Sequence, residues 1–312
     1  MKLNVIIPVY NEEQAIGENF LVIYGEIKAV TDDFKVIMVD DGSRDGTWRE
    51  LERLSELYPE ICAIKFARNF GKEMAVSAGI DYVDGDYTLV MDSDLQHPPK
   101  HIAPMLTLME ETGCDIVNGV KSTRGRESLM YKLCAKTFYK LMKAVSGLKM
   151  DDSTDFKLLN RKVTDSIKRF KESNLFFRGI VDWCGYNSVP YSFDVEERTA
   201  GETSFKLTKL IKLSLDAVIS HTGKPLYITV FFGLLFLVFS VVLGIQSLYN
   251  YFSGKALDGF STIILLILFS SSLIMISIGI IGIYLSRIYD EVKGRPRYLV
   301  SEVLQSGEGR HE

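Results

Sequence analysis

The chain has 312 residues, 47% hydrophobic and 24% charged, enough for one sizeable domain and an additional module. A formal net charge of −4 excludes the strongly basic character of a nucleic-acid binder, so no nucleic-acid partner is expected. Cys62, Cys114, Cys134 and Cys184 have no C-x-x-C spacing and no paired histidines, which argues against a metal cluster or disulfide framework and for reduced thiols in a cytosol-facing domain.

Met1 to Val5 runs straight into an apolar stretch, and no cleavable signal peptide is expected. Leu3 to Ile7 is short and β-branched, which predicts a strand. Ile16, Phe20, Ile23, Ile27 and Val30 recur at helical spacing. Val36 to Val39 predicts a second strand, stopped by Asp40-Asp41-Gly42. Thr47 and Glu50 predict a capping box at the head of a helix that buries Trp48, Leu51, Leu54 and Leu57. Ile61 to Phe66 predicts a third strand, Met74, Ala78 and Tyr82 mark a third helix, and Tyr87 to Met91 predicts a fourth strand. This repeated order implies an α/β domain with a mostly parallel, Rossmann-like sheet covered by helices.

Past residue 120 the pattern changes. Leu129, Leu133, Phe138 and Leu141 lie with Lys132, Lys136 and Lys140 on an expected helix near 127–147. Residues 205–220 form a second basic amphipathic stretch, suited to a membrane interface. Leu226 to Gly254 and Gly259 to Ser286 contain no charged residue, and each is longer than the roughly 20 residues that span a bilayer. Two transmembrane helices are therefore expected over 223–288, after a catalytic domain at 1–222 and before a cytoplasmic tail at 289–312, disordered in its last dozen residues. Lys206, Lys209, Lys212 and Lys224 precede the first span, and Arg287, Lys293, Arg295 and Arg297 follow the second. Only Lys255 lies in the intervening loop. The positive-inside rule then places both termini in the cytoplasm, in a plasma-membrane protein. Ser277, Gly279 and Gly282 offer a close-packing face for a possible homo-oligomer.

In parallel sheets ligands bind beyond the carboxyl ends of the strands. Three polar clusters fall there: Pro8-Val9-Tyr10-Asn11-Glu12, Asp40-Asp41-Gly42-Ser43 and Asp92-Ser93-Asp94. Two carboxylates two residues apart suit a hard divalent cation that also takes substrate phosphate oxygens.

Together with Leu95-Gln96, these clusters resemble the successive signatures of family 2 glycosyltransferases with the GT-A fold. Among these, the sequence is most similar to polyprenyl-phosphate glycosyltransferases of the dolichyl-phosphate mannose synthase and bacterial bactoprenol glucosyl or N-acetylglucosaminyl transferase type. Gly119 to Glu127, Thr154-Asp155-Phe156-Lys157-Leu158-Leu159, Phe177-Arg178-Gly179 with Trp183, and Arg198-Thr199-Ala200-Gly201-Glu202-Thr203 extend the likeness over nearly the whole chain.

The resemblance implies a nucleotide-sugar donor, with UDP-glucose or UDP-N-acetylglucosamine as the expected examples, a polyprenyl-phosphate acceptor, and Mg²⁺ or Mn²⁺ as cofactor. It implies that Pro8, Tyr10, Glu12 and Asp41 hold the nucleotide with Asp40 nearby. Asp92, Asp94 and Gln96 surround the metal and diphosphate. Lys121, Arg124 and Arg126 meet the acceptor phosphate, Asp155 occupies the position usually assigned as catalytic base, and Arg198 and Lys206 belong to a loop over the diphosphate. Lys121 stands where the family often has Arg, which keeps the charge but not the bidentate fork. Ser204 stands where the family often has Lys, with Lys206 two residues on. Processive polysaccharide synthases share the acidic clusters, yet neither Trp48 nor Trp183 ends a Q-x-x-R-W motif. Two alternatives stay open: transfer to another lipid, and a catalytically dead nucleotide-sugar-binding scaffold.

Overall fold

The structure, a computed structural model, describes residues 1–121, 153–170, 172, 176–194, 224–253 and 259–305. The expected basic helices near 127–147 and 205–220 lie outside these residues.

The chain divides into two compact units. The first comprises residues 1–143, 148–204 and 296–312. Its strands are β1 (Leu3–Val9), β2 (Phe34–Asp40), β3 (Ile61–Phe66), β4 (Tyr87–Val90), β5 (Ile116–Lys121), β6 (Ser153–Asn160), β7 (Ser188–Phe193) and β8 (Val300–Gln305). They form one sheet in the order β7-β5-β6-β4-β1-β2-β3-β8. β1 pairs in parallel with both β2 and β4, and β2 with β3. β6 runs antiparallel to β4 and β5, and β8 antiparallel to β3. The mostly parallel α/β architecture expected of the first hundred residues is therefore present.

Helices α1 (Ile16–Lys28), α2 (Thr47–Leu57), α3 (Lys72–Asp81), α4 (Ile102–Thr112), α5 (Arg161–Ile167) and α6 (Phe177–Trp183) flank the sheet. Every residue of β1 is buried, as a strand covered on both faces requires. Leu3, Val5, Ile7 and Val9 join Phe20, Ile23, Leu51 and Met105 in one core. Ile6, Ile37 and Val39 join Ala75, Ala78, Val163 and Ile180 in the other. At Gly79 of α3 a Cβ would come within 2.4 Å of Ile6 Cγ2, so helix and sheet meet where only glycine fits.

Leu57, expected on the buried face of α2, is exposed at the end of that helix, and two further expectations are corrected. Thr47 does not cap α2: the N-cap is Gly46, with no side-chain cap bond. Thr47 Oγ1 instead donates to Asp45 Oδ1 and accepts from the Glu12 N–H, while Glu50 pairs with Arg53. Local partners took both halves of the capping box. The second correction concerns residues 301–305, the described part of the last dozen. Val300–Gln305 form β8 on the exposed edge of β3, where Ala63 pairs with Leu304 and Ile64 with Val303. Tyr298 stacks on Phe66 at 5.0 Å, and its hydroxyl donates to Asp81 Oδ2 at 2.7 Å. Arg297 donates to Ser77 Oγ and to the Phe170 carbonyl.

The second unit contains α7 (Lys224–Phe252) and α8 (Phe260–Val292). Phe236 and Phe269 meet at 5.2 Å between them. Their large apolar side chains are exposed, Leu237 by 61%, Ile245 by 65% and Met275 by 69%, a surface that water does not favour. Among the described residues, Phe269–Val292 is long and apolar enough to cross a membrane, and the apolar stretch Phe231–Gln246 is shorter.

Candidate active site

The ends of β1, β2 and β4 and the head of α3 enclose a pocket of about 200 Å³. Pro8, Val9, Tyr10 and Glu12 line it from β1, Asp41 from β2, Lys72 from α3, and Asp92, Ser93 and Asp94 from β4. Every residue expected to hold the nucleotide lines this pocket except Asp40.

Asp40 is fully buried beneath the turn. Its Oδ1 accepts from the Ser43 N–H at 2.9 Å and from the Ser43 hydroxyl at 2.5 Å, and burial raises its pKa. Asp41 turns the other way and accepts from the N–H groups of Phe70 at 2.7 Å and Gly71 at 2.9 Å. Burial outweighs these bonds and raises its pKa also. Gly42, at φ +67°, lets the Arg68–Asn69 backbone come close: a Cβ there would lie 2.3 Å from the Arg68 carbonyl carbon. The two acids thus fold the turn and tie it to the loop that delivers Lys72. The β1 loop is stitched to the same turn, with the Asn11 N–H donating to Ser43 Oγ and the Arg44 N–H to Asn11 Oδ1.

Beyond β4, Leu95 adopts φ +58°, a left-handed conformation that is uncommon for a branched residue and concentrates at functional sites. The bend lets the Gln96 N–H donate to Asp94 Oδ1 at 3.1 Å. Gln96 is therefore beside Asp94 but not among the pocket-lining residues. His97 is buried, stacked on Phe156 at 5.0 Å, and its Nδ1 accepts from the Asp92 N–H at 3.2 Å. That bond fixes the Nδ1-deprotonated tautomer and holds the Asp92 backbone.

Lys72 Nζ lies 2.5 Å from Asp92 Oδ1 and 2.8 Å from Asp155 Oδ2. Arg178 Nε lies 2.5 Å from Asp155 Oδ1. Burial alone would raise the Asp155 pKa, but Arg178 and then Lys72 outweigh it and hold the carboxyl well below the usual carboxylate range. Burial likewise opposes the charge on Lys72, yet Asp92 and Asp155 raise its pKa. Next to it, Glu73 Oε2 accepts from the Phe177 N–H at 2.8 Å and ties the head of α3 to α6.

No role was assigned from sequence to Lys72, Arg178 or His97, although Arg178 stands in the Phe177-Arg178-Gly179 motif. The available signal was positional: Lys72 follows the φ +99° Gly71 at a helix start, and Arg178 and His97 sit inside motifs whose other members drew attention. Lys121 ends β5, but Arg124, Arg126, Arg198 and Lys206 lie outside the described residues.

Among the described residues, no three acidic, histidine or cysteine side chains converge as a closed metal site. Two carboxylates on one pocket wall, one already facing an ammonium, suit an open site that shares a hard cation with a substrate.

The glycosyl transferase family 2 profile matches residues 4–168. The chain is 35% identical to an uncharacterized glycosyltransferase of Bacillus subtilis, over 97% of this chain and 94% of that one. It is 33% identical to a prophage bactoprenol glucosyl transferase homolog of Escherichia coli, over 97% and 99% of the two chains. It is also 33% identical to a bactoprenol glucosyl transferase of Shigella phage SfII, over 97% and 98%.

Proposed function

Because the chain belongs to glycosyl transferase family 2 and is a glycosyltransferase, we propose that it moves a sugar from a nucleotide-sugar to a polyprenyl phosphate at the cytoplasmic face of the plasma membrane, with inversion. The observation that carries this reading is the pocket in which Asp92, Asp94 and Lys72 converge beside the arginine-bound Asp155. The names of the bactoprenol-type relatives support the acceptor. UDP-glucose or UDP-N-acetylglucosamine is the preferred donor.

Tyr10, 41% exposed at the pocket rim, offers a ring face to the base, and Glu12 and Asp41 lie within the same wall. Asp92 and Asp94 would hold Mg²⁺ or Mn²⁺, which supplies positive charge to the donor diphosphate. In the reaction the acceptor phosphate oxygen forms a bond to the anomeric carbon while the bond from that carbon to the diphosphate breaks. Negative charge grows on the leaving oxygen, and Lys72 is a protein cation lining that pocket. Asp155 orients Lys72 and Arg178 rather than removing a proton, since its carboxylate is already shared between two cations. Arg124, Arg126 and Lys121 are proposed to meet the acceptor phosphate, and Arg198 and Lys206 the diphosphate.

The two charge-free stretches Leu226 to Gly254 and Gly259 to Ser286 support two membrane spans, each exceeding the roughly 20 residues that cross a bilayer. In this reading residues 1–222 form the catalytic domain and 223–288 the anchor, with 205–220 along the interface.

The test is transfer from a panel of radiolabelled nucleotide-sugars to undecaprenyl phosphate in detergent. Formation of a lipid-linked sugar is expected from one donor. Transfer only to diacylglycerol, or donor binding without turnover, would replace this reading with one of its alternatives. For topology, a cysteine at Ser253 should react with an impermeant reagent in intact cells, and reaction of a tail cysteine instead would reverse the orientation.

A further inference from the structure

Asp155 is gripped from two helices. Lys72, the first residue of α3, reaches its Oδ2 at 2.8 Å, and Arg178, the second residue of α6, reaches its Oδ1 at 2.5 Å. Both cationic side chains are long and partly exposed, by 41% and 38%, so their own rotamers do not fix where the charges sit. The placement must come from the backbones of α3 and α6, and the chain neighbours of the two cations join those backbones. Glu73 follows Lys72 and Phe177 precedes Arg178. Glu73 Oε2 accepts from the Phe177 N–H at 2.8 Å, although 104 residues separate the two.

Lys72, Glu73, Phe177, Arg178 and Asp155 thus close a ring of two peptide bonds, one hydrogen bond and two ion pairs. In that ring Glu73 supplies what α6 does not supply for itself. The first N–H groups of a helix have no partner within it. Phe176, at the N-cap of α6, brings no side-chain acceptor, and Glu73 meets the need from α3. Phe177 is buried, so losing the bond would leave its N–H short of a partner at a real cost. Glu73 is not among the residues that line the pocket, so its part in the site is indirect.

We propose that Glu73 is a positioning residue for the transfer reaction: its bond to the Phe177 N–H sets the head of α6 against the head of α3 and so keeps Arg178 and Lys72 on the two oxygens of Asp155. The inference rests on the reaction proposed above. What matters at Glu73 is reach rather than charge, because a neutral amide oxygen at the same distance accepts the same bond. Without that acceptor the first turn of α6 shifts and Arg178 moves with it. Asp155 is then left to Lys72 alone, and Lys72, drawn also by Asp92, leaves the place from which it meets the leaving diphosphate.

The experiment compares the wild type, Glu73→Gln, Glu73→Asp and Glu73→Ala as the purified full chain in detergent, following UDP release and lipid-linked sugar. Glu73→Gln keeps the reach without the charge and should keep most of the rate. Glu73→Asp keeps the charge but is one methylene short. It and Glu73→Ala should lower kcat about tenfold with donor KM nearly unchanged, because displacing a positioned group acts on kcat. Glu73→Ala combined with Arg178→Met should be about as slow as Arg178→Met alone, since both act through one contact. In a [15Nε]arginine spectrum, which needs no turnover, the signal missing from Arg178→Met should stand apart from solvated arginines in the wild type and in Glu73→Gln. In Glu73→Asp it should move toward them. A Glu73→Asp enzyme as fast as the wild type, a Glu73→Gln enzyme as slow as Glu73→Asp, losses that multiply in the double variant, or an Arg178 signal unmoved by Glu73→Asp would overturn the proposal. Absence of lipid-linked sugar from the wild type would instead refute the acceptor, with the arginine spectrum still deciding the role of Glu73.

Discussion

Asp92 and Asp155 share one ammonium: Lys72 Nζ lies within 2.8 Å of both carboxylates, although β4 and β6 contribute them from different stretches of chain. Removing that charge leaves two acids facing each other beside the donor diphosphate. Lys72→Met is expected to lower kcat about 100-fold, the usual loss when one preorganised electrostatic contact is deleted. Initial rates at saturating donor, on protein with an unchanged circular dichroism spectrum, check this.

The Asp155 carboxyl stays ionised across the working pH range because Arg178 and Lys72 hold its pKa far down. With a folded pKa below the unfolded one, its pairing is fully present above the unfolded value and is lost only in strong acid. A phosphate monoester has a second pKa of about 6, so solvent supplies the acceptor dianion near neutrality. Asp155→Asn should therefore be slowed by a similar factor at about pH 6 and about pH 8. Recovery to the wild-type rate at the higher pH would restore the general-base role.

Asp94→Asn removes one of two pocket carboxylates proposed to hold the cation. The variant should remain folded and membrane-bound but nearly inactive. Chelator should silence the wild type, and Mg²⁺ or Mn²⁺ should return its activity. Full turnover in chelator would exclude the metal.

Gly42 has no room for a methyl group, which would lie 2.3 Å from the Arg68 backbone, and its φ is +67°. Gly42→Ala should destabilise the catalytic unit by about 2 kcal/mol or more, from left-handed strain plus displacement of the loop. The same displacement should raise donor KM, since Asp41 and Lys72 move with that loop. Denaturant titration and steady-state kinetics read the two effects separately.

Tyr298 joins the segment before β8 to Phe66 and Asp81. Tyr298→Ala should cost about 2 kcal/mol through lost packing, and Tyr298→Phe about 1 kcal/mol through the lost hydroxyl bond. Loss of β8 bares the β3 edge, so limited proteolysis should cut Tyr298→Ala near residue 300 before it cuts the wild type. Equal protease resistance in both would mean that β8 holds without its tyrosine.

The early sheet was legible because Leu3–Ile7, Val36–Val39 and Ile61–Phe66 are buried on both faces, and full burial leaves a continuous apolar run in the sequence. The acidic loops were legible because each follows such a run directly. The two long apolar stretches over 223–288 were legible by length alone, and α7 and α8 overlap them, with α8 running on to Val292. β8 was not legible: Val300-Ser301-Glu302-Val303-Leu304-Gln305 is half polar and becomes a strand because β3 offers an unpaired edge. The capping box failed for a related reason, since Asp45 and Glu12 reached Thr47 first. Lys72 and the pairing of Arg178 with Asp155 were hidden because their meaning is a distance. Sequence determined the kinds of residue at the strand ends and the apolar lengths that follow. Tertiary structure decided which charges meet, because ion pairing depends on separation in space, and the register of β6 against α3 and α6 cannot be read from any one segment.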